Sequence, residues 1–337
     1  MIMKKNENFT SPLGSVINQF VLLKQALGRC YDRERRILQS LDKFLADNNI
    51  NTVNLTPEAF TRWCSTLYHL RSGVRRNHMR IVHNLCLYIR RTDPLCFVPD
   101  KAIFPPEHQP IQPYIFTNTD VVRLLRATRD LLPTFPSPLY PEVIRLAIVL
   151  LFTTGIRRGE LINLNIGDYD SHEQTLFIRD SKFHKSRLLP LSKDGASEVE
   201  NFLQKRRTKG IPSSNDKPLL WNGYFGGRGY SGTGLGSSLR TLFKNVGIRK
   251  PDGRLPRVHD FRHAFAVNAL LRWYREGADL HANLPLLATY MGHISIVSTE
   301  YYLHFIEEIS TNASYRFEKC YGKLVNSTGN NTTGGEL

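Results

Sequence analysis

The 337-residue chain is poor in cysteine, and none of its five thiols belongs to a CxxC pair. Cys30, Cys64, Cys86, Cys96 and Cys320 are scattered and odd in number. That excludes a disulfide scaffold or a zinc ribbon and fits reduced thiols in a cytosolic protein. Long apolar runs are missing as well. The longest, 146–152, falls far below the roughly 20 residues needed to cross a bilayer. No secretory apolar stretch follows Lys4 and Lys5, because residues 6–12 are mostly polar. Acid is the third scarcity: 30 Asp and Glu stand against 45 Lys and Arg, giving a net charge of +15. A surface of that sign attracts polyanions, so nucleic acid leads as the partner and a membrane falls away.

What is present suits a globular protein. Apolar residues make up 41% of the chain, and its length corresponds to about two domains. The charge is not one detachable tail, since residues 1–113 carry 16 basic and 9 acidic groups and the remainder 29 and 21. The first part reads as a four-helix bundle. Ile37, Leu38, Leu41, Phe44 and Leu45 follow helix period, as do Phe60, Trp63, Leu67 and Leu70, and then Ile81, Val82, Leu85 and Ile89. A weaker helix covers 15–27. Thr56-Pro57-Glu58 is a helix start, with an N-cap, a proline in the first turn and an acid behind it. Between residues 62 and 91 lie seven arginines and no acid. Surface helices usually interleave charge signs, so Arg71, Arg75, Arg76, Arg80, Arg90 and Arg91 are candidates for contact with a phosphate backbone; a solvated helix face is the alternative.

Six of the 18 prolines fall in 94–113, which reads as an extended linker between a helical domain (1–93) and a second domain (114–325). In the second domain Thr117 to Asp120 caps a helix, and an apolar helix follows at about 141–154. Residues 175–179 and 187–191 form a hairpin, and a mostly helical region begins at Asp260. The Asn/Thr/Gly-rich tail 326–337 is expected to be disordered. The fold class is therefore mainly α with a small antiparallel sheet.

Two motif matches fail on context. Gly227 to Gly232 fits GxGxxG, but no βαβ unit surrounds it, and seven glycines between 223 and 236 point to a flexible loop. His259-Asp-Phe-Arg-His263 resembles the zinc motif HExxH. However, Asp is shorter than the Glu base, and Arg262 would put a fixed cation beside the metal. The third match is an ordered set: Thr154-Gly-Ile-Arg157-Arg-Gly-Glu160-Leu161, then Lys182 in a hairpin turn, His259-x-x-Arg262, Gly292-His293 and Tyr302-x-His304. Arginines offer donor forks that match phosphate oxygens. A tyrosine serves as a covalent nucleophile, and a lysine of depressed pKa protonates a leaving alkoxide. Together they suffice for phosphodiester cleavage without a metal.

This set resembles the tyrosine recombinase (phage integrase) family, with its order Arg…Lys…His-x-x-Arg…His/Trp…Tyr, over about 117–304. The helical N-terminal part is more loosely similar to that family's core-binding (SAM-like) domain, and the second domain to its α+β catalytic domain. The resemblance implies that Arg157 and Arg262 clamp the non-bridging oxygens of the scissile phosphate, that His259 and His293 donate hydrogen bonds to it, and that Glu160 orients an arginine. It implies Lys182 as general acid and Tyr302 as nucleophile. Arg158, Lys185 and Tyr301 are the neighbouring rivals. The implied reaction is strand cleavage through a 3′-phosphotyrosyl link with a free 5′-hydroxyl, then resealing by the partner strand. No metal, ATP or other cofactor takes part. The implied partners are double-stranded DNA sites and a homo- or hetero-tetramer passing through a Holliday junction, with a sister recombinase in the latter case. A clamp around DNA and a tail helix at about 310–325, docked on a neighbour or on its own domain, complete the expectation, in a cytoplasmic, nucleoid-associated setting. A non-catalytic DNA binder on the same scaffold and a type IB topoisomerase are the alternatives.

Overall fold

The computed structural model describes residues 9–52, 54–106, 112–181, 185–224, 227–293 and 295–305. The expected C-terminal helix and tail, and Lys182, lie outside the described residues. The chain divides into two compact units between Gln112 and Pro113.

The first unit consists of α1 (Gly14–Ala26), α2 (Asp32–Asp47), α3 (Pro57–Thr66) and α4 (Ser72–Ile89). Its core is the set the helical period marks out: Ile17 and Phe20 of α1, Leu38 and Leu41 of α2, Phe60 and Trp63 of α3, and Val82 and Leu85 of α4 are all buried. Thr56 caps α3 by accepting a hydrogen bond from the Ala59 amide, with Pro57 at the first position.

Up to Pro106 the Pro-rich stretch is neither wholly extended nor a free linker: it contains a 3-10 turn at Lys101–Ile103. Cys96 and Phe104 are buried in the first unit's core. Proline removes amide donors and leaves the carbonyls to be satisfied by side chains. Accordingly, a His83 ring nitrogen meets the Pro99 carbonyl at 2.8 Å, Arg76 donates to Pro105 O at 2.6 Å, and Arg90 to Cys96 O at 3.3 Å.

The second unit is built around α6 (Tyr140–Thr154), whose Val143, Ile144, Leu146, Ala147, Ile148, Leu150 and Leu151 are buried. A helix apolar on all sides must be enclosed. Here α8 (Lys193–Thr208) and α10 (Asp260–Arg275) pack on it. Before it stands α5 (Asn118–Ala127), opened by a reciprocal capping box between Thr117 and Asp120. After it come the single turn α7 (Arg158–Ile162) and the sheet β1 (Tyr169–Asp170), β2 (Thr175–Ser181), β3 (Lys185–Pro190), antiparallel in that order. Leu176 and Leu189 pair across β2 and β3 and are buried, whereas the neighbouring pair Phe177 and Leu188 is exposed. The strand β1 is too short to show as a sequence pattern. Further on, α9 (Gly232–Val246) is capped by the Ser231 side chain. The GxGxxG stretch before it meets Trp221 through one antiparallel bridge at Gly229, and no parallel strand pair occurs among the described residues. The remaining elements are α11 (Leu280–Met291), α12 (Val297–Glu300) and a 3-10 turn over Tyr301–Phe305. Among the described residues no helix is long and apolar enough to cross a membrane.

Candidate active site

The site forms where the chain leaves α6, enters α10 and turns out of α11. Gly155 ends α6 in the left-handed region at φ +60°, and a Cβ there would lie 2.5 Å from the Phe265 ring. That turn delivers Arg157, the N-cap residue of α7. The Arg157 amide donates to Glu160 Oε2 at 3.0 Å, its Nη1 to Glu160 Oε1 at 2.6 Å, and its Nη2 to the Gly292 carbonyl at 2.7 Å. Arg158 is exposed, its guanidinium lying over Gly232 and Gly236 of α9.

Arg262, in the first turn of α10, is 2% exposed. It donates to the Gly155 carbonyl at 2.7 Å and to the Met291 carbonyl at 2.6 Å. Among the described residues no carboxylate is hydrogen-bonded to it; the two carbonyls and the Tyr302 side chain are its hydrogen-bond partners, with Glu160 acting only through space. Burial, reinforced by the Arg157 charge, brings its pKa down to about 10, which still leaves it cationic at neutral pH. A buried cation with no carboxylate hydrogen-bonded to it suits binding of an anion.

His259 occupies the N-cap position of α10 without a side-chain capping bond, and its ring lies 5.0 Å from that of His263, at right angles. His293, which follows the left-handed turn at Gly292, is hydrogen-bonded through Nδ1 to Thr299 Oγ1 at 2.8 Å. Burial first, and then the neighbouring arginine charges, lower the pKa of His259 and of His293 to about 4, so both rings are neutral without DNA. His263 is lowered to about 4 as well, by burial and by His259. The anionic phosphate would favour the charged rings.

Tyr302 is 3% exposed. Its ring stacks on His293 with centroids 6.1 Å apart and meets the His263 edge at 5.4 Å. Burial raises its pKa, and the Arg262 and Arg157 charges oppose that rise. Tyr301 is half-buried instead, with its ring 5.0 Å from Phe305. The two tyrosines sit in a 3-10 turn rather than an α-helix, so they diverge by about 120° instead of about 100°.

Arg157, Glu160, His259, Arg262, His293 and Tyr302 are thus brought together. Lys182 lies outside the described residues, between the two strands that would carry it. The first-unit arginines divide. Arg71, Arg80, Arg90 and Arg91 are exposed, although Arg90 also meets the Cys96 carbonyl. Arg76 is held by the Pro105 carbonyl, and Arg75 lies over the Tyr68 ring at 5.1 Å. Sequence reasoning missed Arg187, which donates to both oxygens of Glu160 at 3.1 and 2.8 Å, and Thr299, which is fully buried beneath His293. It also missed the clasp on the α10 N-terminus, where Asp260 takes three hydrogen bonds from Arg257. Among the described residues no group of three or more His, Cys, Asp or Glu is placed to hold a metal ion.

Chemically, two converging guanidinium groups, neutral imidazoles and a buried phenol can bind a phosphodiester and attack it. Comparison with known proteins gives the same direction. Residues 115–308 match the phage integrase family. The chain is 28% identical over 314 residues to a putative integrase/recombinase, y4rB, of Sinorhizobium fredii, covering 92% of this chain and 98% of that one. It is 34% identical over 156 residues to the tyrosine recombinase XerD of Halalkalibacterium halodurans, over 46% of this chain and 47% of that one. Among solved structures, the XerH site-specific recombinase in a post-cleavage complex with palindromic difH substrate aligns with a TM-score of 0.61 at 18% identity, over 85% of this chain and 79% of that one. The Tn1549 transposon integrase with transposon right end DNA aligns at 0.60 and 16% identity, over 89% and 98%. These two show a shared fold. With the family match spanning more than half its length, the chain belongs to the phage integrase family of tyrosine recombinases.

Proposed function

We propose that Tyr302 is the nucleophile of this recombinase and that Arg157 and Arg262 bind the scissile phosphate. As a member of its family the protein is a DNA strand-cleaving and rejoining enzyme, a site-specific recombinase that needs neither metal nor ATP. The observation that carries the assignment is the convergence on one turn. Arg262 holds the Met291 carbonyl, Arg157 holds the Gly292 carbonyl, and the next residue, His293, stacks on Tyr302.

In the proposed reaction Tyr302 Oη gives up its proton to water and forms a bond to phosphorus, and the bond from phosphorus to the 5′-oxygen breaks. Lys182 protonates that leaving oxygen. Arg157, Arg262, His259 and His293 spread the charge that grows on the non-bridging oxygens. The 3′-phosphotyrosyl link conserves the bond energy until a 5′-hydroxyl of the partner duplex attacks it. The exposed Arg71, Arg80, Arg90 and Arg91 would track the DNA backbone, with Arg75 and Arg76 beside them. Four protomers, identical or shared with a sister recombinase, would act on two duplexes in the cytoplasm. Exchange of this kind suits integration, excision or resolution of a mobile element or replicon.

The test is a nicked suicide duplex carrying the ends of the DNA element that encodes the chain. The expected result is a covalent protein–DNA adduct that resists denaturant. Relaxation of supercoiled plasmid without site preference would instead place the chain with the type IB topoisomerases, and no adduct on any element end would leave a DNA-binding protein.

A further inference from the structure

Strand β3 carries a charge on its inward face. Arg187 pairs across the ladder with Ile178, next to the pair Leu176 and Leu189, and all three of these apolar side chains are buried. A guanidinium in that position needs partners. Its Nη1 and Nη2 donate to Glu160 Oε1 and Oε2 at 3.1 and 2.8 Å, and its Nε donates to the Tyr290 carbonyl at 2.9 Å. The Arg187 and Glu160 side chains are 12% and 7% exposed, so this is not a surface ion pair of negligible strength.

Glu160 is shared. Arg187 binds it from the hairpin side, while Arg157 binds it from its own turn of helix. The second anchor of Arg187, Tyr290, lies two residues before Gly292, whose carbonyl holds Arg157, and three before His293. The fit is close: a Cβ on Gly292 would lie 2.9 Å from Arg187 Nη1 and 3.4 Å from Arg157 Nη1. Every guanidinium nitrogen of Arg187 faces a protein acceptor, so it acts on the protein rather than on phosphate.

We propose that Arg187 is a positioning residue for strand cleavage: by fixing Glu160 and the turn from Tyr290 to Gly292, it aims the Arg157 guanidinium at the scissile phosphate and ties the β2–β3 hairpin to it. The proposal rests on the assignment of Arg157 to phosphate binding. Displacing a reacting or charge-stabilising group by about 1 Å costs about 10²-fold in rate, which sets the expected size of the defect.

The experiment compares single-turnover cleavage of two nicked duplexes, one with an ordinary scissile phosphate and one with a methylphosphonate there. The methylphosphonate replaces one charged non-bridging oxygen by methyl, so little charge is left for Arg157 to neutralise. Arg157→Ala is the reference and should lose about 10²- to 10³-fold on phosphate and at least ten-fold less on methylphosphonate. Arg187→Gln should lose about 10²-fold on phosphate, with the same contrast and with DNA affinity within two-fold of wild type. Should Arg187→Gln fail to melt cooperatively, Arg187→Lys takes its place, since it keeps the charge but cannot span Glu160 and the Tyr290 carbonyl together. Equal slowing on both substrates, or no slowing, in the Arg187 variant while Arg157→Ala shows the contrast overturns the positioning role alone. Absence of the contrast in Arg157→Ala overturns the reading on which it rests.

Discussion

Replacing Glu160 by Gln is the perturbation that probes the site's electrostatics most deeply. Glu160 is 7% exposed and sits between Arg157 and Arg187, with four hydrogen bonds from them. Glutamine has nearly the same shape but lacks the charge, so two partly buried guanidinium groups would face each other uncompensated. Removing one member of a buried ion pair costs about 3 to 5 kcal/mol. Because the amide oxygen still accepts hydrogen bonds, about 3 kcal/mol is expected, or a fall in Tm of roughly 6 to 12 °C for a unit of this size. The effect carries a pH signature. Burial pushes the Glu160 carboxyl up, but the bonds and charges of Arg187 and Arg157 outweigh it, so its pKa lies below the usual carboxylate range. Stability from such a group is fully present above the unfolded value of about 4.3 and is lost as pH falls through the lower folded value. Urea unfolding of wild type and variant from pH 7 to pH 3.5 should therefore show a constant gap down to about pH 5 that narrows below about pH 4. A gap under about 1 kcal/mol at pH 7, or one that widens on acidification, would refute the reasoning.

The remaining predictions concern protons, salt and the leaving group. His259, His263 and His293 have pKa values of about 4 when folded, whereas unfolded histidine titrates near 6.5. The unfolded chain therefore binds more protons between those limits, and stability should fall as the pH drops from 6.5 to 4, with the exposed His259 contributing least because solvent screens it. Substituting His263 by Asn should make that slope shallower in chemical unfolding, and an unchanged slope would contradict the assignment. Arg71→Ala and Arg80→Ala should each lower the slope of log K against log salt by about 0.9 in DNA-binding titrations, without changing site preference. Lys182→Ala should slow cleavage of an ordinary duplex and regain most of the rate with a 5′-bridging phosphorothiolate, whose leaving group needs no proton. Equal slowing on both would argue against general acid catalysis by Lys182.

Local chemistry made much of this legible in the sequence. Thr56-Pro57 and the Thr117–Asp120 box start helices because their side chains satisfy the free amides of a first turn. The 146–152 run is helical core because a helix apolar on every side has to be enclosed. The β2–β3 hairpin shows as two short apolar stretches on either side of a polar turn. Arg157, Arg262, His259, His293 and Tyr302 were readable as an ordered set, and the structure brings them close together. What stayed hidden depends on contacts far apart in the chain. Arg187 reaches Glu160 across 27 residues and Tyr290 across 103, and its only local signal is a charge on the face of β3 that also carries Leu189. Thr299 looks like an ordinary helix residue until His293 rests on it. The stretch from Cys96 to Pro105 reads as a linker by composition, because nothing in a proline count reveals that His83, Arg76 and Arg90 will hold its carbonyls.

The central claim is that Tyr302 attacks DNA beside Arg157, Arg262 and His293. Its most direct measurement is covalent capture on a nicked suicide duplex by wild type, Tyr302→Phe and Tyr301→Phe, with DNA binding followed in parallel. The account predicts loss of the adduct in Tyr302→Phe alone, with binding unchanged, because only a hydroxyl is removed. An adduct that persists in Tyr302→Phe and disappears in Tyr301→Phe would contradict it.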